Sequence, residues 1–104
     1  MGKISGGTII EGSIPVGAIT ATGNIGPYLI ELVTATGGAI TRTLPAVASS
    51  KYHEFTIIKV DSSANAVTIE GNGAETINGA ANIELSAQYE SVKVACDGTS
   101  WYIV

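Results

Sequence analysis

Cys96 and His53 are the only cysteine and the only histidine in the chain, so they bound the nucleophilic chemistry open to it. A thiolate attacks carbon only when a base or a positive field draws its proton away, and His53 is the single imidazole that can serve. Cys96 follows Val92 and Val94 on the same phase of a two-residue alternation. That places it as a small hydrophobe facing a core, and the sequence does not place it beside Lys51-Tyr52-His53-Glu54. One thiol and one imidazole also fall short of a closed zinc site, and a lone cysteine forms no disulfide within the chain.

Carboxylates offer a second chemistry. Nine Asp and Glu residues are present, with Glu70 and Glu75 flanking a glycine turn and Glu84 and Glu90 close behind. Glycoside hydrolysis needs two carboxyl groups at a set separation, which sequence spacing between strands does not define. Glu31, Glu54, Glu70 and Glu84 alternate with apolar residues and read as the solvent-facing phase of strands. A third chemistry is stacking of sugar rings on Tyr28, Tyr52, Tyr89, Trp101 and Tyr102. Trp101 shares a strand phase with Ile103 and reads as buried in the sandwich or on a trimer axis; Tyr89, Trp101 and Tyr102 are the candidate receptor or trimer contacts. The glycine-rich start has no Gly-Lys-Ser or Gly-Lys-Thr after it, so no phosphate loop forms. The expectation is a non-enzymatic chain without catalytic residues, metal or cofactor.

The elements that carry these residues are short strands. Tyr28 to Val33, Ala39 to Leu44, Glu54 to Val60, Ala66 to Glu70, Glu75 to Ile77, Asn82 to Leu85 and Ser91 to Cys96 are rich in β-formers and separated by turn residues. Asn78-Gly79 and Asp97-Gly98 are hairpin signals, the second leading into a closing strand from Trp101. Glu54 to Val60 has β-formers on both phases and is expected to be central. Residues 46–50 are the one place for a short helical turn. Turn signals every eight to twelve residues predict an all-β fold, an antiparallel β-sandwich of jelly-roll-like type over residues 28–104.

Residues 1–27 differ in kind. They hold seven of the 13 glycines and only Lys3 and Glu11 as charges. Ile4, Ile9, Ile14 and Ile19 recur every five residues, with Ile10 beside Ile9, a period that fits neither a helix nor a regular strand. The segment reads as an extended Gly-rich N-terminal arm. It anchors through Ile4, Ile9, Ile10, Ile14 and Ile19 to its own domain or to another subunit, because glycine-rich chain buries too little to order itself.

At 104 residues the chain makes one domain. Charged residues are 13% and apolar residues 45%, fewer charges than a monomer's surface ordinarily carries, so apolar surface is expected to meet a neighbour. The net charge of −4, with five scattered cations, argues against nucleic acid. No run of eighteen apolar residues spans a bilayer, and the first residues lack a signal core, so the expectation is a protein made in the cytoplasm without membrane contact.

The order Thr43-Leu44-Pro45-Ala46, Phe55 to Asp61, Val67-Thr68-Ile69, Thr76-Ile77-Asn78-Gly79, Gln88 to Val92 and Asp97-Gly98-Thr99-Ser100-Trp101-Tyr102 resembles a β module of tailed-bacteriophage virion proteins. That module occurs in tail fibres, head fibres and capsid decoration proteins, and the resemblance covers roughly residues 40 to 104. It implies a virion structural or attachment role, usually as a homotrimer, with no enzymatic site. The residues ahead of the match carry no heptads, collagen triplets or shaft repeats. This favours a capsid decoration (cement) protein on the outer capsid surface, with the major capsid protein and itself as partners and the arm, through Ile4, Ile9, Ile10, Ile14 and Ile19, as its expected capsid-facing or subunit-bridging element. A fibre tip that binds a host receptor or glycan is the alternative.

Overall fold

The computed structural model describes residues 15–104; residues 1–14, with Ile4, Ile9, Ile10 and Ile14, lie outside the described part. Nine strands follow in order: β1 (Val16–Ile19), β2 (Gly23–Asn24), β3 (Ile30–Val33), β4 (Ile40–Thr43), β5 (Glu54–Lys59), β6 (Val67–Glu70), β7 (Asn82–Leu85), β8 (Ser91–Cys96) and β9 (Trp101–Ile103). One 3-10 turn, Val47–Ser49, occupies the place where a helical turn was expected.

The fold is all-β, and both sheets are mixed. A five-stranded sheet runs β1-β3-β5-β8-β9 and a four-stranded sheet runs β2-β4-β6-β7. The antiparallel, jelly-roll-like pairing expected from the turn spacing is corrected here. β1-β3, β3-β5, β2-β4 and β4-β6 pair in parallel, and only β5-β8, β6-β7 and β8-β9 are antiparallel. The reason lies in the connections. After each of the first five strands the chain crosses to the other sheet, so strands meet their neighbours one rung later and in the same direction. Three rungs form this way, β1/β2, β3/β4 and β5/β6, before β7 and the β8-β9 hairpin close the sheets. β5 lies between β3 and β8, as its two apolar faces require.

Alternation sets the inward face. Val33, Phe55, Ile57, Val94, Cys96 and Trp101 from one sheet meet Ile40, Leu44, Val67, Ile69 and Leu85 from the other in a single apolar core. Each fully buried isoleucine contributes about 1.5–3 kcal/mol relative to exposure. Ile25, ahead of β3, joins the same core, and Ile19 packs against it. Residues 15–27 are therefore built into both sheet edges and the core.

Turn chemistry fixes the ends. Asn78 and Gly79 both have positive φ, 50° and 83°, and Ile77 and Ala80 exchange main-chain bonds of 2.8 and 2.9 Å around them, as a mirror-image hairpin turn demands. That turn leaves Glu75 to Ile77 without a strand; Ile77 makes only isolated bridges to Ala80 and Trp101. At the β8-β9 hairpin, Asp97 Oδ1 accepts from the Thr99 and Ser100 amides at 2.8 and 3.0 Å. These bonds, that from Ser100 first, hold the Asp97 carboxyl below its ordinary range.

Candidate functional site

Two groups of charged side chains face inward. Glu31 on β3 is fully buried, where the alternation had placed it toward solvent. Ile30, Leu32 and Val33 are all apolar, so the phase of β3 is ambiguous in sequence, and Arg42 on β4 decides it. Arg42 donates from Nε to Glu31 Oε1 at 2.8 Å and from Nη2 to Oε2 at 2.9 Å. The same guanidinium donates to the carbonyls of Asn24 at 2.7 Å and Ala21 at 3.2 Å, and the Gly26 amide donates to Glu31 Oε2 at 3.3 Å. One buried fork thus ties the residues of the first rung to both sheets.

Lys59, on the inward phase of β5, is also fully buried. Its Nζ donates to Asp61 Oδ2 at 3.0 Å, to the Asp61 carbonyl at 3.2 Å and to Ser63 Oγ at 3.3 Å. Asp61 accepts further from the Ala35 amide at 2.8 Å and from the Ser63 amide and hydroxyl. The Ala35 bond above all, then the Ser63 hydroxyl, holds the Asp61 carboxyl far below its ordinary range against the opposing effect of burial. Each group is saturated with partners and acts as a brace.

Of the residues singled out for chemistry, Cys96 is buried, its Sγ in contact with the Val47 carbonyl at 3.7 Å and the Gly98 amide at 3.3 Å. The main chains of His53 and Cys96 meet, since the Cys96 amide donates to the His53 carbonyl at 3.0 Å, yet the His53 side chain is exposed. Glu54 and Glu84 are exposed, and Glu70 accepts from the Thr43 hydroxyl at 2.9 Å. Among the described residues no three of His, Cys, Asp and Glu group to hold a metal ion. Trp101 is fully buried against Phe55, ring centroids 5.7 Å apart at 51°. Tyr102 is exposed on the outer face of the five-stranded sheet opposite Ala95, and Tyr89 is exposed beyond the other end of β8. Tyr89 lies in the turn before β8, and Ser91 to Ala95 alone spans about 13 Å of extended strand, so the two rings form no common platform.

The outer face of the five-stranded sheet is the feature that the sequence reading did not locate. Its cross-strand rows are Val16-Ile30-Thr56-Lys93 and Ala18-Leu32-Ile58-Ser91, with Ala95 and Tyr102 beyond. Val16 is 50% exposed, Tyr102 45% and Leu29 40%. A groove of about 540 Å³ lies over it, lined by Leu29, Ile30, Tyr52, His53, Thr56 and Lys93, with the exposed Glu54–Lys93 pair (3.5 Å) at its rim. Tyr52 holds the left-handed conformation, φ 64°, uncommon for a residue with a side chain. Its amide is fixed on the Cys96 carbonyl at 2.7 Å, which stands the ring out into solvent with the Lys51 ammonium 5.0 Å from its centroid. Ile and Leu on both phases of β3 and β5 were the available signal, since a strand apolar on both faces has two surfaces to cover.

A scan against protein-family models and a search of curated proteins found no match to this chain.

Proposed function

We propose that the protein is a non-enzymatic bacteriophage virion structural protein: a homotrimeric capsid decoration (cement) protein that binds the outside of the assembled shell and stabilises it. The observation that carries this reading is the apolar outer face of the five-stranded sheet. Val16, Ile30, Leu32, Ile58 and Tyr102 form a sheet surface broken only by Thr56, Ser91 and one ion pair, the composition of a face that another protein covers. The ordered pieces from Thr43 to Tyr102 supply the phage context.

Charge supports the same division of labour. Arg42 and Lys59 are neutralised inside by Glu31 and Asp61, so Lys51 and Lys93 stand against six carboxylates on the remaining described surface. An acidic exterior with one apolar face discourages phosphate polymers and leaves the face as the adhesive element. A subunit that binds only the assembled shell stabilises that state by its binding free energy, and three linked copies raise the effective concentration of each contact.

The test offers purified protein in parallel to emptied, expanded capsids and to an array of immobilised glycans. Saturable binding to capsids is the expected result. Binding to a glycan with none to capsids supports instead a fibre tip that uses Tyr52, Tyr89 or Tyr102.

A further inference from the structure

We infer that Asn72 is a modification site: in the folded protein its side-chain amide closes on the Gly73 nitrogen and water converts it to an isoaspartate, while Asn78, which precedes Gly79 in the same way, is held against that reaction. The chain has two Asn-Gly steps, Asn72-Gly73 and Asn78-Gly79. Glycine favours the closure because no Cβ shields its nitrogen. The Gly73 nitrogen gives its proton to hydroxide and forms a bond to Asn72 Cγ, the Cγ–Nδ2 bond breaks, and ammonia leaves with a proton taken from water. Water then opens the five-membered imide at either carbonyl, leaving an aspartate or an isoaspartate at position 72.

Exposure does not separate the two sites, since Asn72 and Asn78 both face solvent. Hydrogen bonds do. Asn78 sits in the left-handed region, φ 50°, and its amide donates to the Trp101 carbonyl at 3.0 Å. Its Oδ1 accepts from the Ile103 amide at 3.0 Å, and the bonds between Ile77 and Ala80 close the turn around it. Ring closure must swing Asn78 Cγ over the Gly79 nitrogen by rotation about the Asn78 Cα–C bond. The paired bonds of the hairpin forbid that rotation until the turn opens.

Asn72 has no such clasp. Among the described residues its side chain makes no hydrogen bond and the Gly73 amide donates none. A single bond closes the turn, from the Glu75 amide to the Asn72 carbonyl at 3.0 Å, with Gly73 at φ 59° as its left-handed residue. The loop is not built for the product. An isoaspartate carries the main chain through its side chain and so adds a carbon between Gly71 and Gly73. Gly71 already lies so close that a Cβ on it would stand 2.1 Å from the Glu75 carbonyl oxygen, and Glu75 Oε1 accepts from the Val47 amide at 3.1 Å. A lengthened loop therefore shifts Glu75 and loosens the 3-10 turn that begins at Val47.

Peptide mass spectrometry on the purified full chain, aged in mildly alkaline buffer, tests the assignment. Position 72 is expected to exchange its amide for a carboxylate at least about tenfold faster than position 78, and faster as pH rises. Labelling by an isoaspartyl methyltransferase should appear at the same rate, and Asn72→Gln should abolish that early label, since glutamine closes only a larger and slower ring. In urea the two positions should react alike, because each is then an asparagine before a glycine in open chain. Equal rates in the folded chain overturn the inference, as does early label that persists in Asn72→Gln. Position 72 left intact in the folded chain over a time that converts it in urea overturns it too. So does a difference between the two positions that survives in urea, since local sequence and not the fold then sets the rate.

Discussion

Replacing Arg42 with methionine strips Glu31 of both its charged donors. Glu31 has no exposed surface, and only the Gly26 amide at 3.3 Å remains to it. Two carbonyls of the first rung, Ala21 and Asn24, lose their donor in the same step. Breaking a buried ion pair from one side costs about 3–5 kcal/mol, a large share of the roughly 5–15 kcal/mol that holds a domain together. At this chain length each kcal/mol lowers Tm by about 4 °C, so Arg42→Met should melt roughly 12–20 °C lower. The double variant Glu31→Met/Arg42→Met leaves no uncompensated charge. Its cost reduces to the two half-exposed carbonyls, no more than about 2 kcal/mol. Urea unfolding followed by fluorescence of Trp101, the only tryptophan and fully buried, reads both variants. A single variant that costs under about 1 kcal/mol, or a double variant as unstable as the single, refutes the clasp as the element that fixes β3 to β4.

The pH dependence follows from Asp61. Its folded-state carboxyl lies below the ordinary value of 3.8, so its contribution is complete above that value and is lost as pH falls toward the folded one. Asp61→Asn should lower stability at pH 7 and flatten the loss between about pH 4 and pH 2, checked by urea midpoints across that window; an unchanged slope contradicts the assignment. Gly71→Ala places a methyl group 2.1 Å from the Glu75 carbonyl oxygen, and thermal melting should show a loss of at least about 1 kcal/mol, with no change as the contrary result. If the proposed trimer packs through this face, Ile58→Glu, between Leu32 and Ser91, should convert a species of about 32 kDa, three times the 10.6 kDa chain, to a folded monomer by light scattering. A variant that stays trimeric moves the subunit contact elsewhere.

Strand positions were legible in the sequence because turn residues punctuate them: Gly37-Gly38, Asp61 to Asn65 and Asp97-Gly98 each separate two elements in the structure. Strand direction was not. Alternation reports which face a residue takes, and it is the same whether the neighbour runs up or down, so the parallel rungs were invisible until the crossovers were traced. Glu31, Arg42 and Lys59 escaped for a related reason. A charge is buried only when its partner is in place, and Arg42 reaches Glu31 from the opposite sheet. Trp101 is buried as expected, but the phase shared with Ile103 was not the reason, since Ile103 is exposed; the pairing with Cys96 across the hairpin turns the indole inward. The outer face carried a signal in the doubly apolar β3 and β5, yet which face would lack a cover depends on how the two sheets meet.

Labelling intact virions with a gold-conjugated antibody against this chain, viewed by electron microscopy, tests the proposed role most directly. The account predicts label spread over the capsid shell in many copies. Label confined to the tail or a fibre, or none on the virion, contradicts it.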